Sequence, residues 1–147
     1  MAKKQTVKKE ETPLLKKNVV YIILAVITFA VYANSLYNDF VFDDESAVQA
    51  DYRPVVSSTY AIDYAIWEFN PFGYHLTNVI MHIINVLLFY ALLLLMFEKF
   101  KSPYKDYIIL IAALIFSVHP IHTEVVAWVS GRTDGLACTF FFAAFIY

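Results

Sequence analysis

The chain contains very little cysteine and glycine, and this scarcity excludes several kinds of site. Cys138 is the single cysteine, so neither a disulfide framework nor a cysteine-based metal site can form within the chain. Three glycines leave little scope for a phosphate-cradling loop, and no nucleotide-binding glycine motif, HExxH helix or internal repeat is present. Soluble nucleotide chemistry is therefore disfavoured, and we expect no nucleic-acid partner.

Charged residues are also scarce, at 16% of the 147 residues, whereas hydrophobic residues make up 60% and the mean hydropathy is +0.57. An ordinary soluble domain is far less apolar. The composition therefore predicts an integral membrane protein that contacts membrane lipids. The expected fold class is all-α, a polytopic bundle of transmembrane helices.

Four apolar runs predict the membrane spans. The first two, residues 19–37 and 74–98, are close to or above the roughly 20 residues that a helix needs to cross about 30 Å of hydrocarbon. The third, 107–119, is short and crosses only if it tilts or continues past Pro120. The fourth, 135–147, is still apolar at its last residue. We therefore expect about four spans, the last incomplete, in an N-terminal fragment of a longer protein.

Lysine placement predicts the orientation of these spans. Six lysines lie in the basic tail, residues 1–18, and three in the loop 99–106, so both segments are expected to be cytoplasmic. The acidic loop 38–73 and the junction 120–134 are then external. This layout suits a bacterial inner membrane or an endoplasmic reticulum membrane, with the N-terminus in the cytoplasm. A cleaved secretory signal is the alternative for the first run, but the bulky residues around Val31 and Ala33 favour a retained anchor.

The first candidate site is the sequence NDFVFDDE, residues 38–45, directly outside the first span. Asp43, Asp44 and Glu45 stand together there, and a carboxylate in such a place can act as a general base. An acidic external loop without catalytic function explains the same residues about equally well.

A second group of polar residues lies within the predicted second span. Their spacings of three, four and three residues place them on one helical face: His75, Asn78, His82 and Asn85. Polar groups that faced lipid would lack hydrogen-bond partners, so this face is expected to pack inward. Interhelical hydrogen bonding is the favoured role, ahead of ligand binding.

The third candidate site is the junction VHPIHTEVVAWVSGRTDGLA, residues 118–137, between two apolar runs. A charged side chain near the middle of a bilayer costs about 3 kcal/mol or more, so ionisable residues here mark a site that faces water or a partner. Arg132 can pair with a phosphate through two parallel hydrogen bonds, or internally with Asp134 or Glu124. His119, His122 and Glu124 match no standard zinc spacing, so we assign no metal ligands.

Three motifs occur in a characteristic order: YANSLYNDFVFDDE, FGYHLTNVIMHIINVLLF and FSVHPIHTEVVAWVSGRTDGLA. Together they resemble the amino-terminal end of the transmembrane and tetratricopeptide-repeat O-mannosyltransferase-like proteins, which belong to the glycosyltransferase-C superfamily. The resemblance covers roughly residues 30–147. It implies ten or more spans followed by tetratricopeptide repeats in the lumen or periplasm.

The resemblance also implies an activity: transfer of a sugar, typically mannose, from a polyprenyl or dolichyl phosphate carrier to a serine or threonine hydroxyl of an acceptor protein. The carrier would be a substrate rather than a cofactor, and a divalent metal ion is compatible with this chemistry. By this resemblance Asp43 or Asp44 is the base and Arg132 stabilises the leaving phosphate. His119, His122 and Glu124 match the family's pattern and would line the same external cavity. The residues expected to bind the substrate or its phosphate are Glu45, His119, His122, Glu124, Arg132 and Asp134.

Two other functions fit the composition. A non-catalytic membrane scaffold would assemble with partner proteins through its polar transmembrane faces, and fold resemblance alone does not establish activity. A transporter is weaker, because no inverted repeat is visible. A fragment of this length is not expected to be active alone.

Overall fold

The computed structural model describes residues 16–50 and 53–147, and this part of the chain contains helices and no strand. Residues 1–15, most of the predicted basic tail, lie outside the described residues. Seven α-helices follow one another: α1 Lys17–Tyr32, α2 Asp44–Ala50, α3 Pro54–Trp67, α4 Pro71–Met96, α5 Lys105–Val118, α6 His122–Ala127 and α7 Arg132–Ile146. Two 3₁₀ segments, Ala33–Tyr37 and Val129–Gly131, follow α1 and precede α7. The all-α prediction is confirmed for the described residues.

Two helical segments in the described part are long and apolar enough to cross a membrane. They are Lys17–Tyr37, with 21 residues, and Pro71–Met96, with 26 residues. At 1.5 Å per residue the 14 residues of α5 reach only about 21 Å, and the 15 residues of α7 little more. The first two predicted spans therefore correspond to long helices, while the crossing of α5 and α7 stays a prediction.

Helix α4 is the central element of the fold. Its start is set by Asn70, whose side-chain oxygen accepts a 3.1 Å hydrogen bond from the backbone N–H of Phe72, and by Pro71 in the first turn. The helix contacts α1, α3, α5, α6 and α7. Toward its C-terminal end the contacts with α1 and α5 are apolar and build a core of Val20, Leu24, Val86, Tyr90, Leu93, Ile109 and Ala113.

The segment predicted as an acidic loop, residues 38–73, is largely helical. Pro54 begins α3, and Val56, Tyr60 and Asp63 form its buried face, at the spacing of one side of a helix. Tyr60 and Val56 pack with Tyr74 of α4 and Val129 in a second apolar cluster. Helix α3 was not predicted from the sequence, because its buried face is too short and too polar to stand out as an apolar run. The external position of the segment stays a prediction.

Candidate functional site

The polar face of α4 points into the protein, as its spacing predicts. All four side chains are less than 5% exposed: His75, Asn78, His82 and Asn85. The Asn78 amide donates a 3.0 Å hydrogen bond to the backbone carbonyl of Trp128, and the Asn85 amide donates one of 2.9 Å to that of Gly135. The predicted role in hydrogen bonding between segments is therefore seen for the two asparagines, which tie α4 to the junction and to α7.

Arg132, at the start of α7, is completely buried. Its Nη1 forms a 2.6 Å ion pair with Asp63 Oδ2, and its Nε donates a 2.9 Å hydrogen bond to Asn78 Oδ1. Nη2 donates to the carbonyl of Tyr74 at 3.0 Å, and the guanidinium carbon lies 4.5 Å from the ring centre of Tyr60. The expected internal partners, Asp134 and Glu124, were wrong, because α3 brings a closer carboxylate. The guanidinium is committed to the interior rather than to a surface that a phosphate can reach.

Asp44 is also completely buried, at the start of α2. Its Oδ2 accepts a 3.0 Å hydrogen bond from the backbone N–H of Val41. Its Oδ1 accepts two more, from the backbone N–H and the hydroxyl of Ser130, both at 2.9 Å. The carboxylate therefore ties the loop after α1 to the junction before α7.

Asp43 has a different environment from its neighbour. Its side chain is exposed, and the one hydrogen bond described for that side chain is a 3.3 Å contact in which the Ser130 hydroxyl donates to Oδ1. Phe42 precedes it with φ of 59°, in the left-handed region that a bulky residue rarely adopts and that costs about 1–3 kcal/mol. The hydrogen bond from the backbone N–H of Val41 to the Asp44 carboxylate closes this turn, and Asp43 lies on its exposed side.

A cavity of about 460 Å³ opens beside Asp43. The turn before α2, the residue before α3, and residues of α2, α6, the junction and α7 line it: Asp43, Ser46, Ala47, Arg53, Glu124, Val125, Trp128, Ser130, Gly131, Thr133 and Asp134. Three predicted site residues, Asp43, Glu124 and Asp134, thus share one cavity. Arg53 adds a guanidinium, which donates a hydrogen bond to the Thr133 hydroxyl across the cavity.

The two histidines of the junction lie elsewhere. His119 and His122 line a separate, apolar groove of about 480 Å³ with Phe89 and Phe116. Glu124 is two residues beyond His122, about 200° around α6, and therefore faces the other side. Burial, together with the nearby His119, lowers the pKa of His122. The implied placement of both histidines beside Asp43 is not what the structure shows.

Glu45 is exposed in the first turn of α2 and is not among the residues that line the cavity. Metal-ligating side chains do not converge in the described residues: no group of three or more His, Cys, Asp or Glu is placed there to hold an ion. The cavity therefore brings carboxylates together without forming a cation site in the described part of the chain.

Three residues of the site were not singled out from the sequence. Arg53 and Ser130 are ordinary polar residues in the sequence, and only the fold brings them to Asp43. Asp63 carried a usable signal, since it lies on the face of α3 that also contains Val56 and Tyr60. A charged residue on a buried helical face requires a buried partner, and Arg132 is that partner.

The amino-acid sequence is similar to those of several proteins named protein O-mannosyl-transferase. It is 34% identical over 157 residues to protein O-mannosyl-transferase TMTC3 of Mus musculus, an alignment that covers 86% of this chain. It is 34% identical over 121 residues to protein O-mannosyl-transferase TMTC1 of Mus musculus, with 82% of this chain covered. The chain is a homologue of the TMTC proteins. Protein O-mannosyl-transferase F38B6.6 of Caenorhabditis elegans is 30% identical over 158 residues, with 85% of this chain covered.

The resemblance to the TMTC family is thereby confirmed over most of the chain. The chain spans 16% of the length of mouse TMTC3 and 22% of that of the C. elegans relative. No family model matches the chain, and no solved structure matches it. The TMTC homology and the two long apolar helices together identify a membrane protein.

Proposed function

We propose that the chain forms the acceptor-activating part of a membrane protein O-mannosyltransferase. The reaction transfers mannose from a polyprenyl or dolichyl phosphate to a serine or threonine hydroxyl of a protein. One observation carries the proposal: an exposed carboxylate, Asp43, opens onto a polar cavity that also contains a guanidinium, in a chain homologous to protein O-mannosyl-transferases. In this proposal the acceptor protein approaches from the external side, the lumen of the endoplasmic reticulum.

Asp43, rather than Asp44, is the base in this proposal. Asp44 is fully buried and both of its oxygens already accept hydrogen bonds, so an acceptor hydroxyl in the cavity cannot reach its carboxylate. Asp43 lines the cavity and shares only the longer 3.3 Å contact with Ser130. A base must come within hydrogen-bond reach of the proton that it removes, and only Asp43 of this pair can do so.

The leaving group needs a positive charge, because the phosphate gains one negative charge as the sugar departs. Arg53 lines the cavity and replaces the buried Arg132 in this role. As the acceptor oxygen forms its bond to the anomeric carbon, the bond from that carbon to the phosphate oxygen breaks. The hydroxyl proton passes to Asp43, and the charge on the lipid phosphate is met by Arg53. Glu124 and Asp134 line the same cavity, and in this proposal they accept hydrogen bonds from sugar hydroxyls.

The scaffold alternative is not favoured. It requires the polar face of α4 to be available to a partner helix, yet the amides of Asn78 and Asn85 are buried and bonded within the chain. Their hydrogen bonds hold the junction in place rather than offering an outward surface.

The test of this function is Asp43→Asn in the complete protein. We expect mannose transfer from the lipid donor to fall by roughly 10²- to 10⁴-fold, because an amide cannot take the proton. Thermal stability should stay the same, since Asp43 is exposed. Asp39→Asn, an exposed acidic residue in the same loop, is the matched control and should transfer normally. Undiminished transfer by Asp43→Asn would remove Asp43 from the role of base.

A further inference from the structure

We infer that Ser130 is a positioning residue whose hydroxyl bridges the two aspartates and supports proton uptake by Asp43. This inference rests on the proposed function, in which Asp43 is the base. It concerns a residue that lies outside the acidic loop and comes from the turn before α7. The hydroxyl would both orient the Asp43 carboxylate and accept a hydrogen bond from it once it is protonated.

The geometry that carries the inference is a three-centre contact. The Ser130 hydroxyl lies 2.9 Å from Asp44 Oδ1 and 3.3 Å from Asp43 Oδ1. A hydroxyl has one proton to donate and lone pairs to accept with. The Ser130 hydroxyl donates to Asp44 over the shorter distance and shares the same proton with Asp43 over the longer one, which holds the two carboxylates side by side. Once Asp43 has taken a proton, the Ser130 hydroxyl can donate to Asp44 alone and accept a hydrogen bond from Asp43 through a lone pair.

The path of the proton during the proposed reaction is consistent with this arrangement. Before transfer, Ser130 donates to Asp44, and Asp43 is an unprotonated carboxylate that faces the cavity. During transfer the acceptor hydroxyl gives its proton to Asp43, and its oxygen bonds to the sugar. Afterwards Asp43 donates that proton in a hydrogen bond to the Ser130 oxygen, while Ser130 still donates to Asp44. No proton is gained or lost, and Asp43 returns its proton to water through the open cavity.

Ser130 is held rigidly enough for this role. The carbonyl of Val129, on one side, accepts a 3.1 Å hydrogen bond from the buried hydroxyl of Tyr60. On the other side, Arg132 is anchored by its ion pair with Asp63. The backbone N–H of Ser130 itself donates to Asp44 at 2.9 Å. Since both neighbours and the backbone are fixed, the hydroxyl is set by the fold rather than by a mobile loop, as a positioned catalytic contact requires.

The experiment measures mannose transfer by the complete protein in membranes, with Ser130→Ala, Ser130→Thr and Ser58→Ala compared with the parent. Ser130→Ala should lower kcat by roughly 10- to 100-fold, the cost of a slightly misplaced reacting group, with KM for the lipid donor within twofold. Ser130→Thr keeps the hydroxyl and should recover most of kcat. Ser58, exposed on α3 and bonded to its own helix backbone, is the matched control and should behave as the parent. The thermal midpoint of Ser130→Ala should hardly change, because the backbone bond to Asp44 remains.

Several results would overturn the inference. They are an unchanged kcat in Ser130→Ala, a raised KM with kcat kept, or a Ser130→Thr variant as slow as Ser130→Ala but equally stable. A fall in thermal midpoint that Ser130→Thr restores without restoring kcat would also overturn it. If these occur while Asp43→Asn still abolishes transfer, the proposed function stands and only the role of Ser130 fails. If Asp43→Asn also transfers normally, both fail.

Discussion

Arg132, at the start of α7, contacts both α3 and α4. It reaches α3 through Asp63, α4 through Asn78 and the carbonyl of Tyr74, and it stacks on the Tyr60 ring. Removing a guanidinium from water is costly, and the ion pair offsets that cost only because the remaining N–H groups also find acceptors. The residue therefore acts as a clamp that fixes where the junction, and with it Ser130, meets the acidic loop.

Breaking this ion pair from one side should be strongly destabilising. Arg132→Met leaves Asp63 as an unpaired carboxylate that is only 4% exposed. We expect a loss of about 3–5 kcal/mol in the free energy of unfolding. The measurement is thermal unfolding of the purified protein in detergent.

The double variant Arg132→Met with Asp63→Leu provides the control for charge. It removes both partners together and should recover a large part of the lost stability, because no buried charge is left unpaired. A double variant as unstable as the single one would show that packing, rather than the ion pair, is what Arg132 supplies.

The turn between α6 and α7 depends on a close approach of two backbones. A β-carbon built at Gly131 would lie 2.8 Å from the carbonyl oxygen of Glu124 and 3.0 Å from the α-carbon of Val125. Those atoms belong to helix α6 and cannot rotate away as a side chain can. The glycine is therefore required by space, since its own φ of −64° is open to any residue.

Gly131→Ala should consequently displace the turn and impair the site. We expect mannose transfer to fall by at least about tenfold, because Ser130 is the preceding residue and reacting groups tolerate little misplacement. Gly135→Ala is the matched control: its β-carbon would meet first the flexible Met81 sulfur, at 3.1 Å, and should be tolerated. Equal activity of the two variants would contradict the close-approach argument.

The long helices were predictable and the short ones were not, for physical reasons. Residues 19–37 and 74–98 are apolar over enough length to mark helices by hydropathy alone, and the structure starts α4 only three residues earlier, at Pro71. Hydropathy did not predict helix α3, because only one narrow face of this helix is buried. The inward direction of Asn78 and Asn85 followed from helical spacing, a local property.

Contacts between side chains that are distant in the sequence could not be predicted from helical spacing or hydropathy. Asp63 and Arg132 are far apart in sequence, and nothing in either neighbourhood specifies the other. The sequence also does not distinguish Asp43 from Asp44, because two adjacent aspartates have the same side chain and lie in the same stretch of sequence. Their difference arises when the turn at Phe42 sends one carboxylate inward and leaves the other exposed.

The two ends of α4 have different surroundings. Near the C-terminal end of that helix, the contacts with α1 and α5 are apolar, and few polar groups are buried. Near its N-terminal end lie the buried network around Arg132 and the cavity beside Asp43. With 26 residues, α4 extends about 39 Å, more than the thickness of a hydrocarbon core. The two ends are therefore expected on opposite sides of a membrane, with the cavity on the external side.

This orientation can be tested with single cysteines in the complete protein, after Cys138 and any other native cysteine are replaced by serine. Lys101→Cys places a thiol in the loop between α4 and α5, and Ser58→Cys places one on the exposed side of α3. In sealed endoplasmic reticulum vesicles with the cytoplasmic face outward, a membrane-impermeant thiol reagent should label Lys101→Cys directly. It should label Ser58→Cys only after detergent opens the vesicles, because the positively charged loop stays cytoplasmic. Labelling of both without detergent would mean that α4 does not cross the membrane, and the reverse pattern would put the cavity in the cytoplasm, away from a lumenal acceptor.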